Sequence, residues 1–136
     1  MLPELLPHVT AAVCSADFAA PGTAGDRDAT ARVLLEAGPG FVAVTAGPGP
    51  VRWWTGGAQG AVEVPEVHVQ DTLGAGDVLH GAFAFAIASG LRDPVLALRF
   101  AIDVARVRVA HVGPRSWLGD PRLAELVRAL VAAVAA

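Results

Sequence analysis

Two short charge-free runs, Val9-Thr10-Ala11-Ala12-Val13-Cys14 and Phe41-Val42-Ala43-Val44-Thr45, stand on either side of a segment with helical spacing, and this order leaves few topologies open. Continuous apolar runs of this length, rich in β-branched residues, read as strands covered on both faces. Between them, Val33, Leu34 and Leu35 are flanked by Arg32 and Glu36. This predicts a helix over 29–37, closed by Gly38-Pro39-Gly40 and preceded by a Gly/Pro/Asp-rich loop over 20–28. Strand, helix and strand in that order form a parallel crossover unit, right-handed by default.

Downstream the pattern changes twice. Gly47-Pro48-Gly49-Pro50 breaks the chain, and 51–55 and 61–64 flank the turn-rich Gly56-Gly57-Ala58-Gln59-Gly60, a hairpin signal. Trp53 and Trp54 are expected to cover the sheet rather than to stack on a ligand. A further strand is expected at Val67–Val69, running into the junction 71–77, and three helices follow. In the first, Leu79, Phe83, Ala86, Ile87 and Gly90 share a stripe, with small residues on most of the rest, so nearly complete burial is expected. The second starts at an Asp93 cap with Pro94 in its first turn; Val95, Leu98, Ile102, Ala105 and Val109 form one face and Arg99, Asp103 and Arg106 the other. Asp120-Pro121 repeats that start signal, and Leu123, Leu126, Val127, Leu130 and Val134 form the third apolar face.

Composition narrows the chemistry. Among 136 residues, 54% are hydrophobic and 17% charged, which is the make-up of a folded chain and not of a disordered tail. All ten basic residues are arginine, so neither a Walker A lysine nor a Schiff-base lysine is available. The single cysteine, Cys14, excludes an internal disulfide and any multi-cysteine metal site. His8, His68, His80 and His111 are not spaced as metal ligands. The longest charge-free runs, 37–51 and 78–91, fall short of the 18 or more residues of a membrane span, and the first residues lack the features of a signal peptide. A net charge of −3 with scattered arginines gives no basic stripe for nucleic acid. The expectation is a cytoplasmic chain with neither membrane nor nucleic-acid partners.

The informative segment is Asp71-Thr72-Leu73-Gly74-Ala75-Gly76-Asp77, where a strand is expected to pass into a helix. Unpaired N–H groups and the positive end of the helix dipole face one space there, and glycines let a ligand approach the main chain. Backbone amides at such a place suit a phosphate or a developing oxyanion. Asp77 would repel that anion unless it has its own task, and general base is the natural one. The plainer alternative is that Asp77 only complements the helix dipole while the glycines make a tight turn. Dinucleotide binding is excluded, because Leu79 stands at the third glycine position of G-x-G-x-x-G and no acidic residue follows at the ribose-binding distance on a second strand.

These seven residues, followed by Gly81-Ala82-Phe83-Ala84, resemble the C-terminal signature of the ribokinase-like (pfkB) carbohydrate kinases. Val42-Ala43-Val44-Thr45-Ala46-Gly47 resembles the family's nucleotide-binding strand and turn, and the stretch from Phe100-Ala101 to Gly113 resembles the helix that closes the adenine pocket. The resemblance implies Asp77 as catalytic base and the amides of Gly74, Ala75 and Gly76 as the anion hole. It places Thr45, Gly47, Ile102, Ala105 and Gly113 at the nucleotide. It also implies a monovalent-cation site, such as K⁺ would occupy, at Asp71, Thr72 and Ser116. ATP and Mg²⁺ are the implied cofactors, the metal held through ATP phosphates; where the family commonly has Asn-x-x-Glu this chain has Ser15-Ala16-Asp17-Phe18, which leaves the protein ligands of Mg²⁺ unknown. Ile102 stands where the family often has Asn, implying an apolar contact to adenine.

The implied fold is the C-terminal portion of a ribokinase-like, three-layer α/β architecture with a mostly parallel sheet and flanking helices. Residues 1–136 are then one partial domain, the nucleotide-binding half, without the sugar-binding half and its lid. The implied activity is ATP-dependent phosphorylation of a sugar hydroxyl, with a homodimer as one assembly the resemblance leaves room for. Two alternatives stand: a truncated, non-catalytic nucleotide-binding remnant, and a nucleoside or hydroxymethylpyrimidine kinase of the same superfamily. Helices left without their usual cover would also expose apolar surface.

Overall fold

In the computed structural model, residues 2–136 are described, with side chains from Glu4 onward. The chain divides into two compact units, residues 1–64 and 65–136.

The first unit is built on a four-stranded sheet in the order β1 (Ala11–Ser15), β2 (Phe41–Ala46), β3 (Gly49–Thr55), β4 (Gln59–Val62). β1 and β2 pair in parallel, Ala11 beside Phe41 and Ser15 beside Thr45, as the two apolar runs predict. The connection between them is α2 (Arg27–Glu36), whereas β2–β3 and β3–β4 are antiparallel. Two short links, Gly47-Pro48 and Gly56-Gly57-Ala58, are too brief for a crossover, so the sheet is mixed, with parallel pairing only between β1 and β2. Gly47 takes φ +59°, the left-handed conformation that two-residue hairpin loops require.

Helix α2 begins two residues before the expected start. Asp26, hidden in the polar loop, caps it by accepting from the amides of Asp28 and Ala29. Its buried face, Ala31 and Leu34, packs with Val42, Val44, Trp54 and Leu6 in one cluster. Leu6 belongs to a helical stretch with no counterpart in the sequence reading, α1 (Leu2–Leu5) continued by a 3₁₀ turn (Leu6–His8). Both tryptophans cover the sheet: Trp54 is 4% exposed, and Trp53 stacks on Phe41.

The second unit holds α3 (Ala75–Ala88), α4 (Pro94–Val109) and α5 (Pro121–Ala135). Both Asp-Pro starts are as predicted, with Asp93 accepting from the amides of Val95 and Leu96 and Asp120 from that of Arg122. Packing between α3 and α4 buries Leu79, Ala82, Phe83 and Ala86 on one side and Ala97, Leu98, Ala101 and Ile102 on the other. Alanines on both helices permit close approach.

Three expectations are corrected. No strand forms at Val67–Val69; instead the segment lies against α4, with Arg106 donating to the Glu66 carbonyl and the amides of Gln70 and Asp71 to the Val109 carbonyl. α3 is not wholly buried, since Phe85 is 49% exposed and Ile87 is exposed too. On α4 the expected Leu98 and Ile102 are buried, but Val95, Ala105 and Val109 are only partly so, and the buried face widens to Ala97, Ala101, Val104, Val107 and Arg108. No helix among the described residues is long and apolar enough to cross a membrane.

Candidate active site

The 71–77 turn is organised from beneath by a buried charge. Arg108 is 2% exposed, and its guanidinium reaches Asp71 Oδ2 at 3.0 Å and the carbonyls of Asp71, Leu73 and His111 at 3.4, 2.5 and 3.0 Å. Asp71 in turn accepts from the amide of Leu73 at 2.9 Å through Oδ1 and from that of Gly113 at 3.2 Å through Oδ2. The Leu73 amide and the Arg108 guanidinium beside it hold the Asp71 carboxyl below the usual carboxylate range. This network ties together the loop before α3 and the turn after α4. Its two ends were singled out in the sequence and its centre, Arg108, was missed. The signal was present: Arg108 falls on the α4 stripe of Ala97, Ala101 and Val104, and has no carboxylate three or four residues before it.

Above the network, Gly74 caps α3 in the left-handed conformation, φ +75°, with no side chain closing the helix end. The Ala75 amide donates to the Thr72 carbonyl at 3.1 Å, which narrows the expected anion hole. Among the described residues no loop acceptor meets the amides of Gly74 or Gly76. Asp77 is exposed in the first turn of α3, and a Cβ placed on Gly74 would lie 4.0 Å from its Oδ2. The carboxylate therefore stands over the turn that bears these amides. His80 lies one helical turn on, Nδ1 2.7 Å from the Gly76 carbonyl.

The other expected nucleotide residues are distributed over both units. Thr45 ends the parallel register of β2, its hydroxyl donating to the Cys14 carbonyl at 3.5 Å, and Gly47 forms the turn after it. In the second unit Ala105 is half-buried, Ile102 lies deeper at 3% exposure, and Gly113 takes φ +83° in the turn after α4. Burial pushes the Cys14 thiol up, which makes it a poor nucleophile.

No group of three or more His, Cys, Asp or Glu among the described residues is placed to hold a metal ion. At the residues assigned to a monovalent cation, the Asp71 carboxylate accepts from Arg108 and two amides, and the Ser116 hydroxyl donates to the Val112 carbonyl at 2.6 Å, so a buried guanidinium already stands beside Asp71.

Residues 1–119 match the model of the pfkB family carbohydrate kinases, and the chain belongs to that family. Among solved structures, ribokinase from Thermotoga maritima superposes with a TM-score of 0.72 at 24% identity, over 96% of this chain and 44% of that one. Fructokinase with bound ATP from Xylella fastidiosa gives 0.70 at 29% identity, over 96% and 45%. Aminoimidazole riboside kinase from Salmonella enterica, complexed with aminoimidazole riboside and an ATP analogue, gives 0.69 at 23%, over 93% and 46%. The chain thus spans less than half the length of these relatives.

Proposed function

We propose that this chain is the nucleotide-binding, C-terminal portion of a carbohydrate kinase and serves ATP-dependent phosphoryl transfer to a sugar hydroxyl. The observation that carries the reading is the open start of α3, where an exposed Asp77 carboxylate stands over the left-handed Gly74 and the amides beside it. Asp77 takes the proton of the acceptor hydroxyl as its oxygen attacks the γ-phosphorus, and ADP leaves with the electrons of the broken P–O bond. The amides of Gly74 and Gly76, with Ala75 between them, face the charge that develops on the transferring group. Mg²⁺, brought by the ATP phosphates, supplies charge neutralisation when bound.

By the family resemblance, Thr45 and Gly47 in the first unit, and Ile102, Ala105 and Gly113 in the second, are each assigned to the nucleotide. Relatives named for sugars and for a riboside support the phosphotransferase class and leave the acceptor to experiment. The test is ADP release from Mg·ATP by the chain, and by the longer protein if it is a piece of one, across simple sugars and nucleosides. Acceptor-dependent ADP release with a sugar supports the reading; a nucleoside-only response moves it to a nucleoside kinase; ATP binding without transfer to any acceptor identifies a nucleotide-binding remnant.

A further inference from the structure

The acceptors gathered around Arg108 are those a bare cation would choose. Three backbone carbonyls, of Asp71, Leu73 and His111, and one carboxylate oxygen of Asp71 converge on one buried positive group. Rings of carbonyl oxygens that replace a hydration shell are how proteins bind K⁺, and a carboxylate adds the balancing charge. Here the two Nη atoms of one guanidinium satisfy all four oxygens, its planar fork presenting donors in fixed directions. The oxygens come from both ends of the network, two residues before α3 and one after α4, so the group that holds them fixes the entry to α3.

We infer that Arg108 is a built-in replacement for a monovalent cation, a positioning residue that holds the 71–77 turn in its anion-receiving shape without K⁺. The inference rests on the kinase reading only for what the turn is used for. Its structural content, an internal cation in the place of a bound one, is testable without any turnover.

The experiment compares the full chain in KCl and in tetramethylammonium chloride at equal ionic strength, reading the thermal midpoint and the hydrogen exchange of the Leu73 and Gly113 amides, both of which donate to Asp71. The wild type is expected to give the same midpoint and exchange rates in both salts. In Arg108→Ala both amides are expected to exchange faster, by about tenfold or more, and K⁺, but not tetramethylammonium, is expected to recover part of the loss. A K⁺-specific stabilisation of the wild type overturns the inference, as does an Arg108→Ala protein loosened equally in both salts. If the variant does not fold, the wild-type comparison decides alone. An inactive chain that passes these tests would count against the kinase reading and leave Arg108 in place, whereas a K⁺-stabilised wild type would do the reverse.

Discussion

Single side chains carry more of the structure than their number suggests. Asp120 caps α5 through the Arg122 amide, accepts from the Arg122 guanidinium, and lies 3.4 Å from His111 Nε2. The Arg122 bonds bring its carboxyl down to about 2. Because the folded value lies below the unfolded one, roughly 4, the folded state prefers the ionised form. The stabilisation is present above about pH 4 and is lost as pH falls toward 2. The thermal midpoint of the wild type is therefore expected to drop more steeply between pH 5 and pH 2 than that of Asp120→Asn; parallel profiles would show that the cap contributes nothing through its charge. Asp71, also held low, works in the same direction and remains in both proteins. Asp120 was legible beforehand as an Asp-Pro start, but its link to His111 was not, since it joins two turns that only the packing of α4 and α5 brings together.

Elements were legible where local pattern and tertiary demand agree. β1 and β2 announce themselves as unbroken apolar runs, and α4 and α5 as caps followed by proline. The segment at Val67–Val69 has strand-like residues, yet a strand needs a neighbour with free ladder groups, and its backbone partners are Arg106 and the end of α4. The start of α2 was obscured because Asp26 looks like any loop aspartate until its carboxylate meets two helix amides. The end of that helix supplies a sharper test. Gly38 takes φ +147°, and a Cβ there would fall 2.3 Å from the Leu6 carbonyl oxygen and 2.7 Å from Pro7 Cα. These are backbone atoms and cannot swing aside. Gly38→Ala is expected to destabilise the chain by well over the ~1 kcal/mol of an ordinary glycine conformational effect, read as a lower midpoint in urea; an unchanged midpoint would mean that the Leu6–Pro7 stretch does not press on α2 in solution.

At the scale of the molecule, apolar side chains remain uncovered within the second unit: Leu73, Val112, Leu118 and Val131 are all more than half exposed, and Phe85 nearly so. The chain is therefore expected to bind a hydrophobic dye and to self-associate with rising concentration, as sedimentation would show. A monomer that binds no dye and unfolds cooperatively at high temperature would contradict this. The candidate site was legible as far as the 71–77 motif reached, because glycine spacing and a terminal aspartate are local signals. For the Arg108 network beneath it, only the burial of the arginine had a signal, its place among the apolar positions of α4; its partners did not, since Asp71 and Leu73 lie 37 and 35 residues away along the chain. The central claim is that Asp77 is the base of a phosphoryl transfer, and the most direct measurement is turnover and Mg·ATP affinity of Asp77→Asn beside the wild type, in the full-length protein with its best acceptor. Turnover is expected to fall by roughly 10²–10⁴-fold with nucleotide affinity retained; wild-type turnover in the variant would contradict the account.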